Sequence, residues 1–203
     1  MSAPDWLEAA FERIDAANAQ DPNRVRWAGD ESPKELVHAW RASHWLTQLA
    51  PDAAPALRLA LRAHHLERWL RPRDAYPRDR VGYLRWRKDA QRFHADRLAE
   101  LLAGGDVPGG VLERAQALIQ KARPAAGDDE HAAQAQAFED ALCLVFLEQQ
   151  LAGFADTVPD EKLRSILAKT LPKMSTEAIG HAAALPLADV HLDLLRALVA
   201  EVG

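Results

Sequence analysis

Two histidines on apolar stripes and an acidic pair at the head of the most apolar segment are the residues best placed for chemistry. His65 follows Leu57 and Leu61 and precedes Trp69 at successive four-residue steps, so on one helix its ring points inward. His94 has Ala90, Leu98 and Leu101 on its own face. Glu139 and Asp140 stand directly before Ala141–Leu147, the longest apolar run. Imidazoles and carboxylates brought from different helices into a bundle interior can ligate a divalent metal or a di-iron centre. They can equally form an acid–base pair in a desolvated pocket. A single inward histidine is commonly a satisfied core residue, so it is the joint placement that suggests a site. His64, a quarter-turn from His65, reads as a second ligand or a surface residue. His38 and His44 lie on the preceding helix, and His131 and His191 read as solvated.

The second chemical signal is a basic, aromatic island. From Arg62 to Arg97 the chain has eleven Arg and Lys against five Asp and Glu, although the whole carries a net charge of −5. Arg71, Arg73, Arg78, Arg80, Arg85 and Arg87 lie there with Tyr76, Tyr83 and Trp86. Arginine rather than lysine favours bidentate recognition of phosphate or carboxylate, and the aromatic rings can stack on a planar group. The segment lies between His65 and His94, which places a cationic loop at the mouth of their pocket. The competing reading pairs these arginines with the protein's own acidic excess.

The elements that must position these groups are helical. Hydrophobic spacing predicts helices over about 6–19, 33–50, 55–70, 83–103, 111–123, 136–154, 162–170 and 187–202. Ser32, Pro33 and Glu35 form an N-cap signature for the second. The loops are 23–30, the arginine-rich 71–82, and an acidic, mobile 124–135. The segment from Leu142 to Leu147, apolar on all sides, predicts a central helix. No period-two alternation and no repeat is evident. The expected fold is all-α, a single domain over 1–203 with its core at about 6–200, built as a bundle of about eight helices.

Composition excludes several classes. A 48% hydrophobic, 27% charged chain of 203 residues is neither disordered nor too small for a core. One cysteine, Cys143, excludes an internal disulfide framework, fits a reducing compartment and reads as a core residue. The seven-residue apolar run is far below the ~20 residues of a membrane span, and the N-terminus has no secretory pattern. A soluble, cytoplasmic protein without membrane association is expected. Phosphate-loop, dinucleotide, paired-cysteine and nucleophile-elbow motifs are absent.

The segments NRVRWAGDESPKELVHAWRASHWL, LRLALRAHHLERWLRPRDAYPRDRVGYLRWR, FHADRLAELL, FEDALCLVFLEQQLAGFA and LAKTLPKMS closely resemble the domain-of-unknown-function 4202 family, over about residues 6–200. Their order also resembles that of the HD-domain phosphohydrolases, an all-helical superfamily that binds one or two divalent metals. That resemblance places His38 near the first metal histidine, His65 at the histidine of the His-Asp pair, His94 at an additional histidine and Asp140 at the late aspartate. Leu66 stands where the superfamily has the paired aspartate, and His64-His65 in a shifted register also lacks that carboxylate.

The expected function is therefore a metal-dependent hydrolase of a small phosphate-containing molecule such as a nucleotide. His65, His94 and Asp140 hold a divalent ion (Mn, Fe, Co, Zn or Mg), His38 or His64 completes the shell, and Glu139 serves as base. Arg71, Arg73, Arg78 and Arg80 neutralise the phosphate, beside Tyr76, Tyr83 and Trp86. The alternative is a non-catalytic module binding an anionic metabolite or, less favoured, RNA.

Overall fold

The computed structural model describes the backbone of residues 4–202 and the side chains of 4–200. Among these residues the chain forms ten α-helices and one two-stranded hairpin. The helices are α1 (Asp5–Asn18), α2 (Lys34–Leu49), α3 (Pro55–Ala63), α4 (Arg80–Leu102), α5 (Gly109–Ile119), α6 (Asp129–Val145), α7 (Leu151–Ala155), α8 (Asp160–Thr170), α9 (Thr176–Ala183) and α10 (Asp189–Val202). The all-α class expected from periodicity holds, with ten helices instead of about eight.

The most enclosed helix is α3, whose Leu57, Leu59, Ala60, Leu61 and Ala63 are all buried. It packs against α5 and α2, while α2 packs on α6. Full burial of each leucine is worth roughly 2 kcal/mol, so a nine-residue helix anchors the core. Ala141, Leu144 and Val145 of α6, and Leu147 just beyond its end, are also fully buried, placing α6 beside α3 as a central element.

Four boundaries differ from the sequence expectations. The stretch expected as a loop before α2 is an antiparallel hairpin, β1 (Arg24–Trp27) and β2 (Asp30–Pro33), paired Trp27 to Asp30. Ala28 and Gly29 both have positive φ, 52° and 95°, the geometry of a tight hairpin turn. Four-residue strands are too short to show alternation. Ser32 is consequently in a strand and caps nothing. The buried Asp21 carboxylate instead accepts a bond from the Glu35 N–H (2.9 Å) and another from the Asn23 N–H.

The helix expected over 55–70 stops at Ala63, and the chain then makes a turn through His64–Glu67 and a short 3₁₀ segment at Arg68–Leu70. Most of the acidic 124–135 stretch is not a loop. Asp128 caps α6 by accepting from the His131 N–H (2.9 Å), and Asp129 and Glu130 sit in the first turn, where negative charge complements the helix dipole. His131 is buried rather than solvated, its ring held by Arg114 and the Ala122 carbonyl. The long apolar helix is divided: five residues with π-helical bonding, Phe146–Gln150, separate α6 from α7. Such insertions recur at functional sites.

Candidate functional site

The turn that ends α3 is the framework of the site. Glu67 has φ 51°, ψ 37°, a left-handed conformation that costs a non-glycine residue about 1–3 kcal/mol. It is pinned there from two sides. Its N–H donates to Asn18 Oδ1 (3.0 Å), and Arg97 Nε donates to its carboxylate (2.5 Å). The reversal takes His64 and His65 off the helical stripe and brings Arg68 back over His65.

His38, from α2, stacks on His65 at 4.0 Å between ring centroids, and His64 stacks on His65 at 4.4 Å, with His38 and His64 6.0 Å apart. Each of the three offers a ring nitrogen, and these atoms lie within 4.8 Å of one another. The group could hold a metal ion, and it is the one such histidine–cysteine–carboxylate group among the described residues.

Protonation of the central ring follows from its partners. Arg68 Nη1 lies 3.2 Å from His65 Nε2, and a guanidinium only donates, so Nε2 carries the lone pair. The proton of the neutral ring is then on Nδ1, which donates to Glu35 Oε2 at 2.9 Å. This carboxylate–imidazole pairing is the support that orients metal-ligating histidines. His94, 2% exposed, donates Nδ1–H to the Leu66 carbonyl at 2.8 Å, leaving Nε2 with its lone pair and no partner among the described residues. His38 Nε2, His64 Nδ1 and Gln149 Nε2 are likewise buried and unpartnered.

Burial sets the charge states. It lowers His38 to about 3 and His94 to about 4, with Arg68 adding repulsion, although the Leu66 carbonyl partly offsets the drop at His94. Burial, then the neighbouring His38, holds His64 and His65 well below the usual histidine range. All four are neutral at pH 7, the form that ligates metal. Burial raises Glu35 to about 7, against the pull of Arg68 and Lys34.

Two cavities share a wall made by His65, Arg68 and Gln150. The hairpin-side cavity, about 460 Å³, is bounded by Arg26 and Trp27 of β1, Lys34, Glu35 and His38 of α2, and Glu148 and Gln149. The α4-side cavity, about 540 Å³, is bounded by Tyr83, Arg87 and His94 of α4, together with Lys121, Phe146, Phe154 and Lys173. Both volumes suit a small organic ligand.

The sequence-derived candidates divide accordingly. His38, His64 and His65 come together, and His94 lies next to them, 6.0 Å from His65 between centroids. Asp140 is buried but outside this group. Its Oδ1 accepts from the Ser175 N–H (2.8 Å) and Gln136 Nε2 (3.0 Å), tying α6 to the start of α9. Glu139 pairs with Lys121 instead of facing the histidines.

Of the aromatic and basic island, Tyr83 and Trp86 reach the α4-side wall. Trp86 is already covered by Arg68, at 4.7 Å over its ring, and donates Nε1–H to the Arg71 carbonyl. Arg73 donates to the carbonyls of Tyr76 (2.9 Å) and Pro77 (2.7 Å), and Tyr76 donates to Asp89. Arg71 lies over the Phe93 ring. Arg71, Arg78 and Arg80 are exposed, and none of the three lines either cavity. The loop is therefore self-braced, and the site's cations are Arg26, Lys34, Arg68, Arg87, Lys121 and Lys173.

Sequence reasoning missed Glu35 and Arg68. Glu35 carried a signal that was read only as capping, and Arg68, three residues after His65, merged into the basic run. Cys143 is buried, as expected of a core residue, and burial pushes its thiol up to about 11. No helix among the described residues is long and apolar enough to cross a membrane.

No curated protein and no solved structure matches this chain. A family model, the domain of unknown function DUF4202, matches residues 8–195. That match spans nearly the whole chain, from α1 into α10 and through every element of the site: the protein belongs to the DUF4202 family.

Proposed function

We propose that this protein is a metal-assisted hydrolase of a small phosphate-containing molecule, acting in a reducing cytoplasm. The observation that carries the reading is the group of three neutral imidazoles, His38 buried and His64 and His65 half-buried, whose ligand atoms lie within 4.8 Å, set in walls rich in Arg and Lys. His38, His64 and His65 would hold the ion, and Glu35 would fix the His65 ring through Nδ1. A bound divalent ion supplies acidification of a water and polarisation of a phosphoryl oxygen. The protein's own cations bind and orient the phosphate. Gln149, with an unpartnered buried Nε2, supplies a donor for its oxygen. Glu35, whose carboxyl burial raises to about 7, is the acid–base group hydrogen-bonded to His65, in place of Glu139.

The test is metal content after purification without chelator and reconstitution with Mn, Fe, Co, Zn or Mg, followed by phosphate release from a panel of phosphoesters and phosphoanhydrides. One ion per chain together with metal-dependent turnover is expected; no stoichiometric metal under any condition overturns the reading.

One observation favours a second reading. Arg68 Nη1 already occupies the His65 Nε2 lone pair at 3.2 Å, the position a metal would take. On that reading the chain is a non-catalytic module whose cationic walls hold an anionic metabolite or RNA, and binding survives complete removal of metal.

A further inference from the structure

The two cavities are built to a common plan. Each has a buried imidazole with an unpartnered nitrogen, His38 (6% exposed) on the hairpin side and His94 (2%) on the α4 side. Each also has two cations that make no salt bridge among the described residues: Arg26 and Lys34 on one side, Arg87 and Lys173 on the other. Arg68 belongs to both walls, and its five donors can serve two anionic groups at once.

The differences are equally specific. The hairpin-side wall contains two carboxylates, each already engaged, Glu35 by His65 and Glu148 by Arg41 at 2.5 Å. Among the described residues no carboxylate lines the α4-side wall, which adds Tyr83, Phe146 and Phe154. A ligand with one anionic end would leave one pair of cations without a counter-charge.

We infer that the site takes an internal phosphoanhydride, a ligand with one substituted phosphate in each cavity and the bridging oxygen at the His65–Arg68 seam, its planar group on the α4 side. The inference rests on the hydrolase reading for turnover but not for binding. In turnover one water adds to one phosphorus and the bridging P–O bond breaks. Each half leaves as a phosphate monoester, and the water's protons pass to solvent. A terminal monoester such as AMP fills the α4 side alone.

Calorimetric titration of the metal-free protein with ADP-ribose, AMP and ribose 5-phosphate at fixed ionic strength tests this. ADP-ribose is expected to bind roughly tenfold or more tightly than AMP, the increment of one charged contact. An Arg26→Ala/Lys34→Ala variant should weaken ADP-ribose by about tenfold and leave AMP unchanged, while an Arg87→Ala/Lys173→Ala variant should weaken both. These four side chains are surface cations, so the variants should keep the wild-type circular dichroism spectrum. Equal affinity for ADP-ribose and AMP, or no effect of the hairpin-side variant, overturns the inference. Turnover is scored separately. Metal-dependent hydrolysis of AMP without preferential ADP-ribose binding removes the two-ended ligand and keeps the hydrolase. Two-sided binding of ADP-ribose with no hydrolysis under any metal does the reverse.

Discussion

The turn at His64–Leu70 and the loop at Arg71–Asp79 are adjacent and both irregular, yet they do opposite things. In the loop the arginines serve backbone carbonyls and aromatic faces of the loop itself and of α4, or project into solvent. In the turn one arginine, Arg68, is aimed at the central histidine and enters both cavity walls. Counting charge finds the loop. What selects the turn is a strained left-handed residue, Glu67, fixed by Asn18 and Arg97, which points the next side chain inward. Basic composition marks a neighbourhood, and backbone geometry decides which residue in it meets a ligand.

Substitutions on either side of Arg71 break or sharpen this contrast. The largest effect is expected at the turn: His65→Ala should abolish stoichiometric metal binding, measured by elemental analysis after reconstitution, because it removes the ring shared by the group. Arg68→Ala should weaken ADP-ribose by about tenfold or more, since a charge-assisted donor in a partly desolvated wall is lost. Arg78→Ala, in the loop, should change that affinity by less than about twofold. Equal effects of these two substitutions would erase the distinction between turn and loop.

The loop should matter for stability. A Cβ at Gly82 would lie 2.2 Å from the Pro77 carbonyl oxygen, a backbone contact that cannot simply rotate away. Gly82→Ala should therefore cost about 1–3 kcal/mol in urea unfolding while ligand affinity in the folded protein is kept.

A graded effect is the response to acid. His38, His64, His65 and His94 are held below their unfolded value near 6.5, so between that pH and the folded values of about 3 and 4 at His38 and His94 the unfolded chain binds more protons. Their stability contribution is complete above pH 6.5 and is lost as the pH falls. Glu35 opposes this: raised from 4.5 to about 7, its contribution is present below 4.5 and lost as the pH rises through 7. Four groups against one should give urea midpoints that fall steadily from pH 7 to pH 5. A midpoint that rises over this interval would show that Glu35 dominates the site.

Periodicity and composition by themselves determined much of this protein. They settled the all-α class, the apolar segment that becomes α6 and the buried state of Cys143, because burial of apolar stripes is a local property of spacing. A short hairpin closed by Ala28-Gly29 left no readable alternation, and an acidic stretch read as mobile was the charged first turn of a helix. Only the tertiary structure separated Asp140, which ties α6 to α9, from Glu35, which holds His65, since both are acids beside apolar helices in the sequence. It alone placed Arg68 between two cavities, because contacts between residues 30 or more positions apart depend on where the chain reverses. Here that reversal hangs on one left-handed backbone conformation, which no local propensity for glutamate encodes.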